Sequence, residues 1–148
     1  MERQAQSPAP VMRILKYAFV VSAFLFILVM KQIPVQAGPP VSRQFQAAIA
    51  FVGLVSIVAG FLVPRLVFQA AQRTPRNDST AIQLQQWITK GVMSLAFFEA
   101  CILFGLALHF LHGSLRLVEL MFTAGIAAEL FWSPGKPPSV ENGEFPQG

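Results

Sequence analysis

The chain is divided into apolar runs long enough to cross a bilayer, each closed off by cations, proline or glycine. No charged side chain lies between Tyr17 and Met30 or between Phe45 and Val63, and one only, Glu99, lies between Gly91 and Leu108. A hydrocarbon core about 30 Å thick takes roughly twenty helical residues, and within it the backbone must close its own hydrogen bonds. The pattern predicts an all-α membrane protein. Composition agrees: 12% of the residues are charged, against about 25% in soluble domains. Fourteen Phe stand against one Tyr and two Trp, which suits side chains that face lipid.

Four transmembrane helices are expected, at about 12–33, 44–64, 88–111 and 115–132, in one domain over 11–132. Short loops make neighbours antiparallel, an up-down-up-down bundle. Arg13, Lys16 and Lys31 bracket the first run and can snorkel to the interfaces. Pro34 and Gly38-Pro39-Pro40 stop it. A rival reading is a signal peptide cleaved after Ala37, since Val35-Gln36-Ala37 has the small-residue form of such a site. In the second run Gly53, Ser56 and Gly60 share a stripe that admits a close helix neighbour, and the helix can continue past Pro64 toward Gln72 with a kink. After the polar turn Arg73–Ser79, Thr80 and Gln83 fit a capping box, so a third helix begins near Ala81.

His112-Gly113-Ser114 reads as a tight hairpin into the fourth run, which carries Arg116, Glu119 and Glu129. Arg116 and Glu119 are three apart and can pair. Both acids lie near helix ends, where headgroup water is expected to reach them; an interfacial helix is the rival reading of this run. The tails, 1–10 and 133–148, are polar or rich in Pro and Gly and read as disordered. Small residues on each helix (Ala18 and Ser22, Ser56 and Gly60, Ser94 and Gly105, Ala124 and Ala128) suggest a shared packing seam.

Orientation follows from the cations. Arg3, Arg13, Lys16, Arg65, Arg73, Arg76, Lys90 and Lys136 fall on one side; Lys31, Arg43 and Arg116 fall on the other. Both termini are therefore expected in the cytoplasm. Tyr17, Trp87 and Trp132 land on that same interface. The basic residues flank apolar runs and do not interleave with aromatics, so the expected partner is the lipid bilayer and not nucleic acid. The short-looped chain suits a bacterial inner membrane. The lone Cys101 excludes an intrachain disulfide.

Glu99 is the residue that asks for an explanation, because a bare charge at membrane depth costs roughly 2.5 kcal/mol or more. It is the candidate ion-binding carboxylate, with Ser94 as a neighbour. It can bind a proton or small cation, or donate one hydrogen bond as packing glue. Its plausible polar company is Ser22, Ser56, Ser94 and Thr123. The segment Leu95-Ala-Phe-Phe-Glu99-Ala-Cys-Ile-Leu-Phe-Gly105-Leu resembles the carboxylate-bearing helix of rotary ATPase subunit c, the proteolipid. That likeness implies an ion carrier at Glu99, with Ser94 or Phe98 beside its site. It covers the third helix alone; the glycine ladder of the proteolipid inner helix is reduced here to Gly53 and Gly60. The chain as a whole resembles uncharacterised four-helix bacterial membrane proteins, a likeness that implies no activity.

His109 and His112, with Glu119 across the hairpin, are the candidate metal or haem ligands, although interfacial histidines also serve as plain polar ends of a span. Cys101 shares a stripe with Ser94, Gly105 and His112 and reads as a packing residue. No motif of nucleophilic, metal-hydrolytic or nucleotide chemistry occurs, so the chain reads as a non-enzyme without a cofactor. The leading expectation is a packing or assembly component, in a homo-oligomer or larger membrane complex. The alternative is a proton- or cation-binding subunit built on Glu99, and a third reading is a haem- or metal-binding anchor.

Overall fold

The computed structural model describes residues 9–33, 38–39, 41–72 and 80–137. They form four helices: α1 (Ala9–Gln32), α2 (Arg43–Gln72), α3 (Thr80–Phe110) and α4 (Leu115–Phe131). Three contain stretches long and apolar enough to cross a membrane, Pro10–Gln32, Arg43–Gln69 and Ile82–Phe110. The protein is an all-helical membrane protein. α4, with 17 residues, reaches about 25 Å. The Ala37 cleavage site, the Arg73–Ser79 turn and most of both tails lie outside the described residues, as does the side chain of Thr80.

α2 runs through Pro64 as one helix. Pro64 is fully buried, and the packed surroundings hold the turn that its missing N–H would otherwise loosen. α3 is the hub. It packs on each of the other helices, as α4 also does, while α1 and α2 do not pack on each other. Half of the apolar window of α3 is buried, against 11% for α1, so α1 is a peripheral helix whose outer side presents Val21, Phe24, Leu25 and Leu28.

Two apolar clusters fill the interior. One joins Ala23, Ala50, Cys101, Ile102, Leu108, Val118, Met121 and Phe122; the other joins Met12, Leu95, Phe98, Ala128 and Trp132. The small-residue stripe of α2 does face a neighbour: Gly53, Ser56 and Gly60 are buried, with Gly60 on Phe97 and Phe98. Cys101 packs between α2 and α4, its Sγ 3.5 Å from the Met121 carbonyl oxygen. On α1 the seam differs from expectation. Ala18 is exposed and Ala23 is fully buried instead, because the face of α1 turned to α3 is set by where Ser22 and Met12 dock.

The hairpin after α3 closes as a two-bond C-terminal cap. Gly113 N–H donates to the Leu108 carbonyl at 2.8 Å and His112 N–H to the His109 carbonyl at 3.1 Å, with His112 left-handed at φ 58°. A Cβ on Gly113 would collide with the Leu108 side chain and lie 2.8 Å from its carbonyl oxygen, so only glycine fits. On α4, Arg116 and Glu119 are both exposed, and the expected ion pair between them is not formed. Each reaches interface water more cheaply than it fixes the other.

At Gly60 a Cβ would stand 2.6 Å from Cε1 of Phe98, whose ring is held 4.9 Å from that of Phe61. Gly60→Val is therefore expected to force α2 off α3 and cost about 1–3 kcal/mol. Val58→Ala on the exposed side of the same helix should change little. Thermal unfolding of the two variants in one detergent checks this.

Candidate functional site

The polar centre of the bundle lies where α1, α3 and α4 meet. Ser22 Oγ donates to Glu99 Oε1 at 2.6 Å, a short bond of the kind a hydroxyl makes to a carboxyl oxygen. It ties the peripheral α1 to the hub. The opposite side of the site is formed by α4. Glu129 is fully buried and lies close enough to Glu99 for the two carboxyls to act on each other electrostatically.

This overturns the placement of Glu129 at headgroup water. The Trp132 N–H donates to the Ala128 carbonyl, and Trp132 itself is buried. It also enlarges the company of Glu99, which the sequence limited to hydroxyls. Of the four, Ser22 alone is seen to bond it. Ser56 donates within its own helix, to the Gly53 carbonyl at 2.6 Å. Thr123 is exposed on α4. Ser94 is five residues from Glu99, on another side of α3, and lines a recess with Arg65 and Lys90.

If both acids were ionised, Glu99 Oε2 and both Glu129 oxygens would be buried without a donor. Two unscreened negative charges in contact are strongly unfavourable. A proton on one of them would turn an acceptor into a donor toward the other. Lys16, the cation of α1 nearest in sequence to Ser22, is engaged elsewhere: its Nζ donates to the Leu130 carbonyl at 2.6 Å and the Trp132 carbonyl at 2.8 Å, closing the end of α4.

The other candidates do not converge. His109 lines a groove of about 620 Å³ between α1 and α4, together with Lys31 and Glu119. His112 is instead turned to Gly38, whose added Cβ would lie 3.0 Å from its ring. Among the described residues no three His, Cys, Asp or Glu side chains gather as a metal site. Neither Glu99 nor Glu129 lines this groove or the two recesses at the other end of the bundle.

Searches of protein-family models, curated proteins and solved structures find no match to this chain. The site therefore has to be read from its own chemistry. Ser22→Ala leaves Glu99 Oε1 without its donor and is expected to cost about 1–3 kcal/mol, whereas Ser22→Thr should keep the bond. Melting temperatures of the two variants in detergent decide the point.

Proposed function

We propose that this protein takes up and releases a proton at the Glu99–Glu129 pair within the membrane. The observation that carries the reading is the fully buried Glu129 carboxyl set against that of Glu99. Two acids are an expensive way to join helices in lipid, since an amide or a hydroxyl would supply the same bond without the risk of a buried charge. Paired acids earn their place when the proton they share can leave and return. Ser22 positions the Glu99 side of the pair. The same oxygens form a hard set that suits a small monovalent cation as well as a proton. Neither acid lines the groove or the two recesses described above, which favours these over a larger substrate.

A second reading is a packing or assembly component, favoured by the Ser22–Glu99 bond that holds the little-buried α1 in place. Hydrophobic carbodiimide in lipid vesicles separates the two, because it attacks protonated carboxyls reached through the bilayer. Labelling at Glu99 or Glu129 that falls as pH rises, or as sodium is added, is expected for the proton or cation site. Glu129→Gln should shift that profile and leave the folded amount unchanged, since the amide can donate to Glu99. No labelling at any pH in the native protein would leave the packing reading.

We further propose that α4 completes a fourth span, antiparallel to its neighbour, with both termini in the cytoplasm of a bacterial inner membrane. Support comes from the contacts. Gly53 on α2 stands by Cys101 and Phe104, and Gly60 by Phe97 and Phe98, so one helix advances as the other recedes. At one end Gln46 Oε1 accepts from Ser114 N–H at 3.0 Å; at the other Trp87 Nε1 donates to the Pro134 carbonyl at 3.1 Å. Burial of Glu129 against Glu99 also spares lipid the charge that weakens α4 as a span. In a Cys101→Ala background, Arg116→Cys should react with an impermeant maleimide in intact cells, and Lys136→Cys only after permeabilisation.

A further inference from the structure

The end of the bundle that holds Trp87 and Trp132 carries a recess of about 410 Å³ between α1, the start of α3 and the chain beyond α4. Three cations line it, Arg13, Lys16 and Lys136, together with three aromatic side chains, Tyr17, Trp87 and Trp132, and its lining contains no acid. The walls are built by tertiary contacts. Lys16 grips the Leu130 and Trp132 carbonyls, and Trp87 holds the Pro134 carbonyl, so the 132–137 stretch is strapped across the bundle. Met12, whose side chain packs on Gly91, forms the floor. Arg13 and Lys136 stay exposed at the rim, with no ion pair among the described residues.

We propose that this recess binds the headgroup of an anionic phospholipid. A phosphate or phosphoglycerol group meets a guanidinium able to engage it with two parallel hydrogen bonds, and an ammonium beside it. Indole and phenol rings with an apolar body and a polar edge sit at headgroup depth. Basic pockets between membrane helices attract such headgroups at about 1 kcal/mol per cation. The apolar flank of α1, with Ile14 and Val21 exposed, offers the acyl chains a surface continuous with the rim. The occupant is a lipid rather than a soluble anion because the rim opens where the apolar helix face begins.

The chain has two tryptophans, and both line this recess, so its fluorescence reports on the occupant. The full chain is reconstituted in vesicles of phosphatidylcholine brominated on its acyl chains, which quenches nearby indoles. Unbrominated phosphatidylglycerol is then added in steps, with unbrominated phosphatidylcholine as the reference. Preferential occupancy predicts recovery at a lower fraction of phosphatidylglycerol, by on the order of tenfold for two engaged cations. The preference should vanish in Arg13→Gln/Lys136→Gln, which spares the Lys16 cap, and persist in Arg65→Gln/Lys90→Gln, whose cations line the neighbouring recess. Equal recovery with both lipids overturns the proposal. So does equal loss in both double variants, which would mean a diffuse surface charge. A preference removed by millimolar inorganic phosphate at constant ionic strength would make this a free-phosphate site and overturn the lipid assignment.

Discussion

A carboxyl in a lipid-filled surrounding has no water to fall back on, and the arrangement of this bundle follows from where the buried Glu129 and the half-buried Glu99 find partners. Glu99 takes a hydroxyl from α1 and faces a second carboxyl from α4. That one cluster fixes the rotation of three helices about their own axes. α1, with little of its surface buried, has few other reasons to hold a particular face toward the hub. α4 is short and polar at its ends, and it gains a seat in the bundle because its last acid is turned inward.

The rest of the packing is consistent with that arrangement. Small residues on α2 let α3 approach, and Cys101, Gly105 and Met121 fill the layer beyond. Pro64 sits inside a continuous helix. The C-terminal end of α4 is closed twice, by the Trp132 backbone and by Lys16.

Much of the fold was legible residue by residue. Periodicity and stop signals locate all four helices, and the Gly53, Ser56, Gly60 stripe announces its own contact. Glu99 stands out because nothing apolar explains it, and Ser22 was among its expected neighbours. Glu129 was expected at headgroup water for a physical reason: five residues from Pro134, it looks like a side chain that water can reach. Whether water does reach it depends on how α4 is rotated and seated against α3, which no helical period describes. On α1 Ala18 was expected in the seam and Ala23 is buried instead, since both are small and only the docked rotation distinguishes them.

By itself, then, the sequence determined that the chain is helical, that three long helices suit a bilayer, and that one carboxyl must find a partner at depth. Those conclusions rest on local quantities: run length, charge spacing and the cost of an unpaired backbone or carboxyl group in hydrocarbon. Only the tertiary structure decided which partner it is, and that three aromatics and three cations far apart in the chain line one recess. Pairings of that kind depend on how helices are rotated and seated against one another. That is settled by the sum of many weak contacts over the whole bundle, a quantity no single stretch of sequence contains.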